Sequence, residues 1–335
     1  MDLFTHVLVA YLISFGLAGA HPQYLAAGAL AGGLPDADAL FFPIARRFPL
    51  LQHHGITHSL LGVTIVAVAG GLLGPLIAAG TFGWYFLVME VGGLAHIAQD
   101  GFTNFSVPPL LPFSKRRLEL DADRAINFVT LVVSVVAFYV LLVLERNQVP
   151  YVWYLDTLYL LTGFFVAYFA LRLSARLYIG RHLRQWGGFQ MPVPTSHPMR
   201  WILISESKSD GRFRTTYAHY VLGQGLVDGP HTVDVPQEAP RLGRPVANAQ
   251  EALEQSYSLA RVRSPFLKDS YQFGQAEPVP HGGWVATWYS LEFGMFGRAA
   301  AVRVTFPADG APPSVHSAWQ RVPSRWRRAA GTPNA

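Results

Sequence analysis

Eight side chains in the first hundred residues could do chemistry together: His6, Asp36, Asp38, His53, His54, His58, His96 and Asp100. Imidazole and carboxylate are the nitrogen and oxygen ligands of zinc, manganese and iron, and the chain has no cysteine, so any metal must be held without sulfur. His96 and Asp100, four apart, share one face of a helix and can ligate jointly, or the carboxylate can orient the imidazole. Asp36 and Asp38 cannot point the same way along a regular helix or strand. Pro35 favours an irregular segment there that turns both carboxylates inward. His53 and His58, five apart, diverge by about 140° on one helix, so His53 is placed in a loop and His58 in the first helical turn, with Thr57 as N-cap.

These residues sit at or near the ends of apolar segments. Residues 59–82, 126–144 and 155–171 are long and apolar enough to cross a bilayer, which takes about 20 residues. Residues 3–20, 24–44 and 84–102 are shorter or interrupted by the candidate ligands and by Glu90. The reading is an all-α membrane domain of about six transmembrane helices. The first 171 residues hold seven Lys/Arg and ten Asp/Glu, the remainder nineteen and eleven. The whole chain is 51% hydrophobic and only 14% charged, with the charge concentrated in the second half, which makes the first half a membrane composition, and the basic excess reads as membrane orientation rather than nucleic-acid binding. No nucleic-acid partner is expected; membrane lipids are.

Arg46 and Arg47, then Lys115, Arg116, Arg117 and Arg124, then Arg172, Arg176, Arg181 and Arg184 occupy alternate connections, which puts both termini in the cytoplasm. Asp2 is the one charge before His6, so no cleaved signal peptide is expected. That topology, fixed without using the candidate ligands, brings all of them to the cytoplasmic face. Taken singly, each has a structural reading: an interfacial His6, a hydrogen-bonded His96–Asp100 pair, a solvated Asp36–Asp38 turn. Their convergence favours a shared ion. Adjacent His54 is better placed in solvent, and Glu90 reads as a separate, locally bonded carboxyl. His21, His182, His197, His219, His231, His281 and His316 read as surface residues. Gly28, Gly32 and Gly33 read as close helix packing.

The domains expected are a membrane domain over 1–184 carrying the metal site, a small cytoplasmic α+β domain over 185–306, and a disordered tail over 307–335. In the second, residues 201–205, 214–222, 284–292 and 300–306 read as strands and 247–262 as a helix.

The order Thr5-His6, Pro35-Asp36-Ala37-Asp38, His53-His54-Gly55-Ile56-Thr57-His58-Ser59 and His96-Ile97-Ala98-Gln99-Asp100, with Pro112-Phe113 beyond it, resembles the YdjM-like, LexA-regulated inner-membrane metal-dependent hydrolases over about residues 1–130. That family usually has Arg at the position of His54. It is distantly similar to zinc-dependent phospholipase C. The resemblance implies His6, Asp36, Asp38, His53, His58, His96 and Asp100 as metal ligands and phosphoester hydrolysis as the reaction. Zinc is the preferred divalent ion, with manganese or iron also suited. Asp38 and Asp100 are the candidate catalytic bases, and the depth of the site suits a lipid-derived or other small-molecule substrate. A metal-ion or proton transporter and a metal-stabilised scaffold remain alternatives from other classes.

Overall fold

The computed structural model describes residues 1–41, 55–104, 106–186, 188–237, 245–263, 272–280, 282–295 and 298–321. The chain divides into two compact units, Met1–Ser174 and Ala175–Ala335. In the first, α1 (Leu3–Ala18) is capped by Asp2, whose carboxylate accepts from the Thr5 amide at 2.9 Å and the Thr5 hydroxyl at 2.7 Å. Helix α2 (Pro22–Gly33) starts with proline at its first position and gives way to a 3₁₀ turn over Pro35–Phe41. A second 3₁₀ turn, Ile56–His58, leads into α3 (Leu60–Ile77). Then follow α4 (Phe82–Phe102), α5 (Phe128–Arg146) and α6 (Tyr151–His182).

Three of these helices, α3, α5 and α6, are long and apolar enough to span a membrane, and they coincide with the three uninterrupted apolar segments. Six spanning helices are not supported. At 1.5 Å per residue the 16 residues of α1 reach about 24 Å and the 12 of α2 about 18 Å, against a hydrocarbon core of about 30 Å. Helix α4 has 21 residues but contains Glu90, His96 and Asp100. The outer surface of α3 is apolar and exposed, with Leu76 at 81% and Ile77 at 83%, as lipid contact requires.

Small residues let α1, α2 and α4 approach closely. A Cβ on Gly32 would come within 2.8 Å of the His6 carbonyl, and one on Gly92 within 2.5 Å of the Gly28 carbonyl. The close packing expected of Gly28, Gly32 and Gly33 is therefore present, and it draws the His6 and His96 backbones together.

Among its described residues the second unit, which begins with the last turns of α6, contains two four-stranded antiparallel sheets and the helix α7 (Ala249–Arg263). The first sheet runs β1 (Met191–Pro194), β2 (Arg200–Ser209), β3 (Arg212–Val221), β4 (Gly225–Pro236); the second runs β5 (Gln272–Pro278), β6 (Trp284–Met295), β7 (Arg298–Phe306), β8 (Ser314–Arg321). Both sheets and α7 share one core containing Phe213, Tyr217, Tyr257, Phe273, Trp288 and Val302. Buried Trp288 satisfies its indole N–H on the Ser256 hydroxyl of α7 at 2.8 Å. The α+β reading thus needs correction toward a two-sheet β structure on which α7 packs. Residues 314–321, assigned by composition to a disordered tail, form β8 and pair with β7 from Arg298↔Arg321 to Thr305↔Ser314.

Candidate metal centre

Four elements of the first unit meet at one point: the start of α1, the two 3₁₀ turns, and the end of α4. Asp36, His58, His96 and Asp100 each offer one ligand atom there, all within 4.8 Å of one another. His6, His58, His96 and Asp100 are buried, while the side chain of Asp36 keeps 21% exposure and forms the open side.

The 3₁₀ turn explains how Asp36 and Asp38 both face inward. With about three residues per turn, positions two apart lie about 120° apart, and the two carboxylates straddle one imidazole. Asp36 Oδ1 is 3.6 Å from His58 Nε2, and Asp38 Oδ2 is 3.3 Å from His58 Nδ1. Thr57 closes this arrangement, its hydroxyl donating to Asp38 Oδ2 at 2.6 Å and lying 3.1 Å from His58 Nδ1. Thr57 is not the N-cap of α3. Ser59 is, accepting from the Gly62 amide at 3.1 Å, and His58 lies in the turn before the helix rather than in its first turn.

On α4 the i, i+4 spacing acts as expected: His96 Nε2 is 3.3 Å from Asp100 Oδ2. Asp100 Oδ2 also lies 3.5 Å from His58 Nε2. Its other oxygen contacts His6 Nε2 at 3.1 Å and pairs with the Met1 amino group. The His6 ring stacks on His96, centroids 3.8 Å apart. His6 and Asp38 therefore border the four-atom group. His53 and His54 lie outside the described residues.

The hydrogen bonds of His96 determine what the cluster can hold. Nδ1 lies 2.7 Å from the Gly32 carbonyl, which can only accept, so Nδ1 carries a proton and Nε2 is the ring atom turned to the cluster. It faces Asp100 Oδ2 and, at 3.7 Å, Asp36 Oδ1. Neither His96 Nε2 nor Asp100 Oδ2 has a hydrogen-bond partner. Buried polar atoms without partners are unfavourable; a divalent cation held between imidazole nitrogen and carboxylate oxygen would satisfy them together. Two imidazole nitrogens and two carboxylate oxygens suit such an ion, and the cluster is a possible metal-binding site.

Sequence reasoning missed the support behind it. Arg172, counted among the orienting basic residues, is fully buried: one guanidinium nitrogen lies 3.1 Å from Asp123 Oδ1, and Nε donates to the Ala122 carbonyl at 2.9 Å. Asp123 also accepts from Tyr168 at 2.9 Å and Asn127 at 2.7 Å. Its carbonyl accepts from the Asn104 amide at 3.0 Å, just beyond the end of the helix carrying Asp100. An aspartate followed at a distance by an arginine inside an apolar segment was the available signal. Glu90 is locally bonded, accepting from Thr64 at 2.9 Å. In the second unit, His219 is not a surface residue but 3% exposed, and His231 contacts Asp228 at 3.1 Å.

Three helices long and apolar enough to span a membrane, in one unit with a buried His/Asp cluster, mark a membrane protein with a candidate metal centre. The chain belongs to the YdjM inner membrane protein family, whose model matches residues 1–179, the stretch that contains the entire cluster. No curated protein and no solved structure matches the chain, so the more distant likeness to zinc-dependent phospholipase C finds no support there.

Proposed function

We propose that this membrane protein is a metal-dependent hydrolase acting on a phosphoester or lipid-derived substrate at the cytoplasmic membrane face. The observation that carries the proposal is the convergence of Asp36, His58, His96 and Asp100 within 4.8 Å, with three of the four buried. The ion such a set would hold, preferably zinc, supplies Lewis-acid activation of water and of an ester oxygen.

The chain's own groups divide the remaining work. Gly32 fixes the tautomer of His96, and Asp38 with Thr57 fixes the ring of His58, as carboxylates do for ligating imidazoles. Asp100, directed at three histidines, serves as a ligand, so of the two candidate bases the positioning role falls to Asp38 and the holding role to Asp100. Asp36, alone partly exposed among the four, marks the side from which substrate enters. The alternation of basic connections supports a reading with both termini in the cytoplasm.

The test is turnover of a panel of phosphomonoester, phosphodiester and phospholipid substrates by detergent-purified protein. Activity is expected to vanish with chelator, return with zinc or manganese, and fall by orders of magnitude in His96→Ala. A fully metallated protein that cleaves none of them but moves metal ions into liposomes would replace this reading with transport.

A further inference from the structure

An apolar cavity of about 200 Å³ lies beside the cluster, between α2, α3 and α4. Its wall includes Pro35 and Thr57, so it begins where the metal centre ends: Pro35 directly precedes Asp36, and Thr57 bonds Asp38 and precedes His58. Away from the cluster its wall is hydrocarbon, including Val63, Val66 and Met89. Ile65, also in the wall, is 59% exposed on α3, whose outer surface is the apolar one, so the cavity communicates with the lipid-facing side.

Each feature points to the same occupant. Apolar cavities do not retain water, which needs two to four polar partners. A cavity reached from the bilayer is filled by what the bilayer contains, flexible hydrocarbon. One end of the space meets carboxylates and imidazoles, which match the polar linkage of an amphiphile. We propose that this cavity receives a hydrocarbon chain of a membrane lipid whose polar headgroup linkage then lies at the Asp36–His58–His96–Asp100 cluster. This rests on the hydrolase reading and narrows its substrate class to lipids with an acyl or prenyl chain, selected by chain as well as headgroup.

The test separates chain binding from chemistry. Full-length protein in nanodiscs of phosphatidylethanolamine and phosphatidylglycerol is photolabelled with phosphatidylglycerol carrying a diazirine in its acyl chain, and labelled peptides are mapped by mass spectrometry. Labelling is expected on residues 56–66 and 89–93, reduced at least fivefold in Val66→Phe, which fills the cavity from a half-buried position. Labelling of the exposed face of α5, at Val136 and Leu142, which line no part of the cavity, should stay constant. Ile65→Trp provides a second block at the mouth, and equal metal content in each variant reports an intact fold.

Excess unlabelled phosphatidylglycerol should compete and palmitate should not; displacement by palmitate alone would overturn the assignment to a headgroup lipid. Labelling of metal-intact Val66→Phe and Ile65→Trp within twofold of the unsubstituted protein would overturn the proposal. If instead the labelling behaves as expected while the protein binds no metal, the lipid site stands and the hydrolase reading falls.

Discussion

Removing Asp123 should cost more stability than removing any one side chain of the candidate metal centre. The side chain is fully buried and receives four donors: Arg172 at 3.1 Å, Tyr168 at 2.9 Å, Asn127 at 2.7 Å and the Arg124 amide at 2.8 Å. Asp123→Ala removes the carboxylate 3.1 Å from the Arg172 guanidinium, itself fully buried. Breaking one side of a buried ion pair costs about 3–5 kcal/mol, and each neutral hydrogen bond lost adds about 1 kcal/mol where its donor finds no water. Arg172→Met alone should cost less, about 3 kcal/mol, because Asp123 retains three donors. Replacing both, Asp123→Ala with Arg172→Met, should cost less than the sum of the single changes by about 2 kcal/mol or more, since neither member of the ion pair is then left buried without the other. Reversible unfolding in mixed micelles, followed by tryptophan fluorescence, gives the three differences. Strict additivity, or a cost below about 1 kcal/mol for Asp123→Ala, would refute the claim that this pair anchors the segment beyond Asp100.

Further outcomes follow from the same structure. His219 is held at about 4 rather than its ordinary 6.5, first by burial and then by the nearby charges of His231 and Arg200 against the opposing pull of Asp228. Its stabilising share is therefore complete above pH 6.5 and lost as the unfolded chain gains a proton that the folded one refuses. Between pH 7 and pH 5 unfolding of the second unit should become about 2 kcal/mol easier, and His219→Gln should lose that slope; an unchanged slope would remove the assignment. Reporter fusions after Gln148 and after Arg184 flank α6 and should report opposite sides of the membrane, Arg184 cytoplasmic. The same side for both would contradict α6 as a span.

What was legible in the sequence follows the physics of each signal. The central strands β2, β3, β6 and β7 were readable because they bury an apolar face between neighbours. Those unread, β1, β4, β5 and β8, are the four sheet edges. Edges carry Pro192, Pro230 and Gly274 or, in β8, mostly exposed polar residues, features that protect a sheet border and erase its pattern. Helix positions were readable from apolar runs. Crossing number was not, because α1, α2 and α4 spend their length on packing against each other around polar side chains, a task hydropathy counts the same as spanning. At the cluster, spacing revealed His96 with Asp100, whose relation is fixed within one helix. The clamp of Asp36 and Asp38 about His58 depends on a 3₁₀ turn meeting another turn twenty residues later, and no local pattern encodes that meeting.

The central claim is that Asp36, His58, His96 and Asp100 hold one divalent ion. X-ray absorption at the zinc edge, on protein loaded with stoichiometric zinc and counted by elemental analysis, tests it most directly. The account predicts a first shell of nitrogen and oxygen at about 2.0–2.2 Å with imidazole scattering. Single His58→Ala and His96→Ala changes should each weaken binding and reduce that scattering, while His182→Ala leaves both intact. Full zinc occupancy with an unchanged spectrum in the His58→Ala/His96→Ala protein would contradict it.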